Sequence, residues 1–215
     1  MSDPDVPTER PPAAQPEALT VQADSGETSL GWANLGAKRW RCTMGAGGVR
    51  EDKVEGDAAT PAGSFPLRRI YFRNDRLVLP KLHLPARPIN RHDGWCDDPR
   101  APTYNRLVHI PNDWSHEKMW REDGLYDLVV VVGYNDDPPE GEWGSAIFLH
   151  IARDDYAGTQ GCVAFSRDDI LELLPLLTRE TRLRVLSHAA NEEAQPRSDE
   201  DERLKQFEDF DEKDW

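Results

Sequence analysis

The most restrictive feature of this chain is a set of short apolar runs separated by turn-forming residues. Leu128–Val132 contains one leucine and four valines, and the turn-rich segment 135–139 follows it. A second apolar run lies at 145–151. Short runs rich in β-branched side chains are typical of buried strands, because helices of globular proteins are longer. These runs predict a mainly β fold.

The remaining pattern predicts more strands and few helices. Ser166 followed by Asp169 fits a helix N-cap, and apolar residues then recur at helical spacing up to Pro175, which should shorten the helix. A weaker helix is expected at 115–121. Further strands are predicted at 66–72, 76–79, 107–110 and 181–186.

The two ends of the chain differ from its middle in charge. The formal net charge is −14 at pH 7. Residues 1–27 hold six acidic residues and one arginine, and residues 189–215 hold eleven acidic and four basic residues, so the middle carries about −2. Acidic ends of this kind are typical of disordered tails. We therefore predict an acidic, proline-rich N-terminal tail over 1–28, one folded domain over 29–187 and an acidic C-terminal tail over 188–215.

The near-neutral middle has no basic patch of the kind that binds nucleic acid or an anionic membrane. No apolar run is long enough to span a bilayer. The first residues lack the features of a signal peptide, and three cysteines are an odd number for a disulfide framework. We expect no nucleic-acid or membrane partner and a cytoplasmic location, or a periplasmic one if the start of the sequence is assigned incorrectly.

A reactive site is indicated where an apolar run ends at His150 and Cys162 follows Gly161 after a polar loop. Cysteine is a strong nucleophile only as the thiolate, and a nearby imidazole is the usual base. In the predicted site Cys162 attacks a carbonyl, His150 takes the thiol proton, and the backbone N–H groups of Cys162 and Gly161 face the oxyanion. Thr159 is placed to hydrogen-bond within the turn. The group that orients the imidazole is left open between a main-chain carbonyl and a side chain.

These residues carry a resemblance to a known family. Residues 159–163 (TQGCV), preceded by 148–150 (FLH), resemble the signature of the L,D-transpeptidase catalytic-domain family, which is bacterial and acts on peptidoglycan stem peptides. Residues 60–65 (TPAGSF) are similar to the family's Thr-Pro-x-Gly-x-Phe stretch. Three further blocks resemble a branch of the family without a signal peptide: 93–99, 104–106 and 125–127. The resemblance covers roughly 29–187.

The resemblance implies a β-sandwich or open barrel with a few short helices, and it requires no metal or cofactor. It implies that Cys162 is the nucleophile and His150 its base. The bond attacked joins the L-centre of a diaminoacid at position three to D-Ala at position four, so that a thioester forms and D-Ala leaves. An amine of a second stem peptide then gives a 3–3 cross-link, whereas water gives a tripeptide.

The chain departs from the common family pattern at two positions of the motif and in the loop before it. Gln160 stands where many members have a second histidine, and Ala164 stands where many have an arginine that grips a substrate carboxylate. The loop between the histidine and the cysteine is also shorter than in cross-linking members. Arg153 and Arg167 are therefore candidates to bind that carboxylate, and Thr159 is a further candidate for substrate binding.

Three alternatives remain open from the sequence. An L,D-carboxypeptidase of wall recycling would share every residue named but use water as the acceptor, with soluble tetrapeptides or muropeptides as substrates. A protein of another class would bind zinc, with His92 and Cys96 joining His150 and Cys162 as ligands. The third alternative is an inactive module that only binds peptidoglycan peptides.

Overall fold

A computed structural model of the chain describes residues 18–24 and 29–187. In this part the chain forms fourteen strands and one α-helix, α1 (Arg167–Leu173), which a 3₁₀ turn at Leu174–Leu176 continues. The strands are β1 (Ala18–Ala23), β2 (Leu30–Leu35), β3 (Lys38–Thr43), β4 (Val49–Arg50), β5 (Thr60–Pro61), β6 (Gly63–Phe72), β7 (Ala86–Pro88), β8 (Asp93–Cys96), β9 (Leu107–His109), β10 (His116–Lys118), β11 (Leu128–Val132), β12 (Phe148–Ile151), β13 (Val163–Phe165) and β14 (Arg182–Val185).

The main sheet closes on itself. Its nine strands run in the order β11-β12-β13-β3-β2-β1-β14-β6-β7, and β6 also pairs with β11, so the first eight form a circuit. The prediction of a mainly β fold is confirmed, and the architecture is barrel-like. Each of these eight strands contributes buried apolar side chains to one cluster, here called the main core, which α1 also joins through Ile170 and Leu173. Alternation of side chains along the strands sends every second residue into this core.

The folded domain begins earlier than predicted. Strand β1 lies within the predicted N-terminal tail, yet it pairs with β14 on one side and β2 on the other. Leu19 and Val21 on this strand are fully buried. A boundary at residue 29 therefore leaves out one strand of the barrel, because the acidic composition around β1 hides its short alternating pattern. The rest of both predicted tails (1–17, 25–28 and 188–215) lies outside the described residues.

The helix prediction at Ser166 is confirmed, since the Asp169 backbone N–H donates to Ser166 Oγ at 3.1 Å. Pro175 lies in the 3₁₀ turn that ends this helix. The predicted helix at 115–121 is wrong, because this segment contains strand β10, which pairs with β8. The predicted strand at 76–79 is also wrong. This segment begins in a turn instead, where the backbone N–H groups of Arg76 and Leu77 donate to the carbonyl oxygen of Arg73.

A second layer covers one part of the barrel's outside. Strands β10, β8 and β9 form a small sheet. The Trp95 ring of β8 meets the Phe148 ring of β12 edge-on, with centroids 5.0 Å apart. The buried residues between the two layers, here called the outer cluster, are Tyr71, Ile89, Trp95, Met119, Tyr126, Val129, Val131, Phe148 and Cys162. The predicted nucleophile therefore lies on the outer face of the barrel, under the small sheet.

Candidate active site

Strands β12 and β13 bring His150 and Cys162 together. The strands are parallel, and their register pairs Leu149 with Val163 and His150 with Ala164. Leu149 and Val163 belong to the main core, so the alternate residue His150 projects from the outer face. Cys162 stands two residues before Ala164 and belongs to the outer cluster. Both side chains thus lie on the same face of neighbouring strands.

His150 and Cys162 line a single pocket of about 390 Å³. Each of the two residues is only 6 % exposed, so the pocket reaches side chains that are otherwise enclosed by protein. Polar side chains from several elements complete its wall: Glu55, Glu117, Arg121, Arg153, Thr159 and Gln160. The pocket provides a place where a substrate carbonyl can meet the thiol.

The imidazole of His150 is held in the form needed for a base. Its Nδ1 lies 2.8 Å from the carbonyl oxygen of Ile151. A carbonyl only accepts hydrogen bonds, so Nδ1 carries the proton and Nε2 is left as the acceptor. Burial, with a smaller effect of the Arg121 guanidinium, lowers the pKa of His150 to about 4. The orienting group that the sequence left open is therefore a main-chain carbonyl, and the imidazole is neutral at pH 7.

The thiol of Cys162 is also neutral in this state. Its Sγ–H donates to the carbonyl oxygen of Ala146 at 3.2 Å. Burial and, to a smaller extent, the nearby Glu117 carboxylate raise the pKa of Cys162 to about 12, although the backbone N–H of Phe148 and the Lys53 ammonium act in the opposite direction. The resting site is thus a neutral thiol beside a neutral imidazole rather than an ion pair.

The turn before Cys162 depends on Gly161 and Thr159. Gly161 has φ +127°, and a Cβ at this position would lie 2.7 Å from the carbonyl oxygen of Ala59. Only glycine fits such a backbone. Thr159 Oγ1 donates to the carbonyl oxygen of Cys162 at 2.7 Å and accepts from the Gly161 N–H at 3.1 Å. The Gly161 N–H is therefore engaged inside the turn, which corrects its expected position facing the oxyanion.

The sequence reasoning missed the support behind the thiol. Ala146, whose carbonyl accepts the thiol proton, has a positive φ of 53°. Its N–H donates to Asn105 Oδ1 at 3.1 Å. The buried Asn105 also donates to the carbonyl oxygens of Tyr134 and Asn135. A left-handed alanine has no sequence signal, and the only hint was the family-like block at 104–106.

A charged wall on the small sheet was missed as well. Glu117 on β10 accepts from Arg121 at 3.1 Å, and Arg121 also pairs with Asp123 at 2.6 Å. The Arg121 guanidinium lies 4.9 Å from the centroid of the Tyr126 ring. The Tyr126 ring in turn meets the His150 ring at 5.3 Å. Interpreting 115–121 as a helix hid this wall, because strand β10 presents Glu117 to the pocket.

The two arginines predicted to bind substrate have different surroundings. Arg153 lines the pocket and is exposed. Arg167 does not line it. Its guanidinium instead donates to Asp127 at 3.3 Å and to the carbonyl oxygen of Arg76 at 3.0 Å. Gln160 and Ala164, the two departures from the family pattern, both line the pocket.

The residues of the zinc alternative do not come together. Within 18–24 and 29–187, no group of three or more His, Cys, Asp or Glu side chains is arranged to hold a metal ion. His92 Nδ1 lies 3.0 Å from the carbonyl oxygen of Ile110. Cys96 is fully buried in a small apolar cluster of its own.

Within residues 18–24 and 29–187, no helix is long and apolar enough to cross a membrane.

Comparison with known proteins identifies the class of this barrel and its pocket. The family model of the L,D-transpeptidase catalytic domain (YkuD) matches residues 20–185. This match covers most of the chain, so the chain belongs to the YkuD family of L,D-transpeptidase catalytic domains. The comparisons with curated proteins and with solved structures found no match. Family membership supports L,D-transpeptidase-type activity on peptidoglycan peptides as the general function.

Proposed function

We propose that this protein is a cysteine-dependent acyltransferase that cleaves the bond between the diaminoacid and D-Ala of a peptidoglycan stem peptide. Cys162 is the nucleophile and His150 the general base. The observation that carries the proposal is the placement of His150 on β12 and of Cys162 directly before the parallel strand β13, with both residues lining one pocket. The Nε2 acceptor of His150, left free by the hydrogen bond of Nδ1 to Ile151, is the second support.

The first chemical step forms a thioester. Cys162 Sγ bonds to the carbonyl carbon while its proton passes to His150 Nε2. The tetrahedral intermediate then expels D-Ala, whose amine takes the proton from the imidazolium. The pKa of the thiol is about 12 and that of the imidazole about 4, so a resting ion pair is disfavoured. The proton therefore moves as the carbon–sulfur bond forms, which is general base catalysis.

The acceptor in the second step decides between two activities. Water releases a tripeptide and makes the protein an L,D-carboxypeptidase, whereas an amine of a second stem makes a 3–3 cross-link. We favour water, because Gln160 and Ala164 line the pocket where many family members have a histidine and a substrate-gripping arginine. A cytoplasmic location belongs to this carboxypeptidase proposal, since soluble tetrapeptides or muropeptides would be its substrates.

Two further residues complete the proposed site. Arg153 binds a carboxylate of the substrate, because its exposed guanidinium borders the pocket. Thr159 holds the turn that carries the nucleophile, through its bond to the carbonyl of Cys162. Arg167 is left out of the proposed site, since its guanidinium is bonded to Asp127 and Arg76.

The direct test is incubation with a defined disaccharide-tetrapeptide, followed by mass spectrometry. Tripeptide is the expected product, and a cross-linked dimer would assign the transpeptidase instead. Cys162→Ala should abolish product, and His150→Ala should lower the rate by about 10²–10⁴, the usual scale of general base catalysis. Intact-mass analysis after exposure to a carbapenem should show one adduct that is absent in Cys162→Ala. If neither a product nor an adduct is detected, the result would favour the inactive binding module.

A further inference from the structure

A second cavity of about 290 Å³ lies on the outer side of the barrel, away from Cys162 and His150. Three arginines line it, Arg68 and Arg69 from β6 and Arg106 from the segment between β8 and β9, against one carboxylate, that of Asp136. The lining therefore carries an excess of positive charge, whereas residues 28–188 as a whole carry about −2.

A β-bulge places two of these arginines on one face. The register of β6 with β11 pairs Arg69 with Val131 and Leu67 with Val132, so Arg68 is the extra residue. Leu67 and Ile70 both reach the main core, on either side of the two arginines. In a regular strand Arg68 and Arg69 would point to opposite faces. The bulge turns both toward the cavity, a device that proteins use to re-aim side chains.

The three guanidiniums are held in different ways. Arg68 donates to both carboxylate oxygens of Asp136, at 2.7 and 3.1 Å. Its Nε also lies close to Gly133, since a Cβ added to this glycine would be only 2.5 Å from the Arg68 Nε. Within the described part of the chain, Arg69 and Arg106 are exposed and have no carboxylate partner. One arginine is thus anchored, and two have donors available for a ligand.

Two buried aromatic side chains form part of the remaining wall of the cavity. Trp95 and Tyr71 contribute to its wall, and they are 7 % and 3 % exposed. The Trp95 Nε1–H donates to Asn105 Oδ1 at 2.9 Å, so the indole is fixed in place. Guanidiniums that project from a fixed wall and lack internal partners suit an anionic ligand with several acceptor oxygens.

We propose that this cavity is a binding site for a small oxyanion group, a phosphate or a carboxylate, held by Arg69 and Arg106. The cavity volume of about 290 Å³ is near the lower limit of about 300 Å³ for ligand sites, so it takes a small anion or the anionic end of a larger molecule. The lining of this cavity shares no residue with the pocket of Cys162 and His150.

Isothermal titration calorimetry at an ionic strength of about 0.15 M, where exposed charges more than about 8 Å apart are largely screened, tests the proposal, with sodium pyrophosphate in one arm and sodium glutarate in the other. The wild-type protein should bind at least one of them, and the preferred arm identifies the source of the oxyanion. Arg69→Gln/Arg106→Gln should weaken that binding by about tenfold or more, the scale of a lost charge-assisted hydrogen bond. Cys162→Ala should bind as the wild type does.

Arg184→Gln is the matched control, because Arg184 is exposed on β14 and does not line the cavity. It should leave the affinity within about twofold of the wild type, since the net charge alone has a small effect at a distance. Absence of binding in both arms overturns the proposal. Equal weakening by the control and by the double variant overturns it too, because the anion would then respond to overall charge. Circular dichroism of each variant confirms that it is folded.

Discussion

The hydroxyl of Thr159 donates to the carbonyl oxygen of Cys162 at 2.7 Å while it accepts from the N–H of Gly161 at 3.1 Å. One side chain thus ties the N–H of the residue before the candidate nucleophile to the carbonyl of the nucleophile itself. The backbone of Thr159 is itself fixed, since its N–H donates to the carbonyl of Met44 at 2.8 Å. The thiol is therefore positioned by a closed turn rather than by its own strand alone.

Replacing Thr159 by valine should loosen this turn. The variant loses two hydrogen bonds, each contributing roughly 1 kcal/mol, so we expect unfolding to become easier by about 1–2 kcal/mol and kcat to fall by about tenfold. Urea denaturation and tripeptide release measure the two effects. Thr159→Ser keeps the hydroxyl and should retain most of both. A valine variant with wild-type kcat would show that the turn does not position the thiol.

Asn105 should be among the least tolerant polar positions near the site. Its amide accepts from Trp95 and Ala146 and donates to two carbonyls of the segment after β11. Asn105→Ala leaves these four groups without their partner, and an unsatisfied buried group costs about 1–3 kcal/mol, so we expect the free energy of unfolding to fall by about 4 kcal/mol or more. Thermal unfolding measures it. Asn112→Ala, at an exposed turn that bonds Trp114 N–H, is the comparison and should change stability little.

The buried imidazole of His150 predicts a pH dependence of stability. The pKa of His150 is lowered to about 4 in the folded protein from an ordinary value of 6.5. Below pH 6.5 the unfolded chain takes up a proton that the folded protein excludes, so this contribution is complete above pH 6.5 and is lost as the pH falls toward 4. His150→Gln should therefore lose less stability than the wild type between these pH values, measured by urea denaturation.

His83 provides the control for this measurement, because it is exposed on a loop. His83→Gln should keep the wild-type pH dependence. An identical slope for His150→Gln and the wild type would contradict the burial of a neutral imidazole at this position.

Substitution of the two arginines predicted to bind substrate should affect KM differently. Arg153→Gln should raise KM for the tetrapeptide by about tenfold, since one charge-assisted hydrogen bond contributes about 1.5 kcal/mol. Arg167→Gln should leave KM unchanged and instead lower stability slightly, because its guanidinium bonds Asp127 and the carbonyl of Arg76. Steady-state kinetics and thermal unfolding of both variants measure these changes in KM and in stability. A raised KM for Arg167→Gln alone would reverse the assignment.

Much of the architecture was predictable from local patterns. The valine-rich run predicted β11 and the Ser166 cap predicted α1, because each signal lies within a short stretch of consecutive residues. The failures occurred where tertiary contacts override weak local preferences. Strand β1 forms because β14 and β2 pair with it, and β10 forms because β8 does. Strand β2 follows β1 closely, but β14 stands at the other end of the domain and β9 lies between β8 and β10, so the local patterns did not reveal these pairings.

The sequence by itself determined the residues of the candidate chemistry and the family to which the chain belongs, because the motif around His150, Gly161 and Cys162 is a local string of letters. Tertiary structure alone decided that Arg153 but not Arg167 reaches the pocket, and that a bulge turns Arg68 and Arg69 to one side. The physical reason is that hydrogen-bond partners and strand register are set by contacts between segments distant in the chain, whereas residue types are carried by each segment alone.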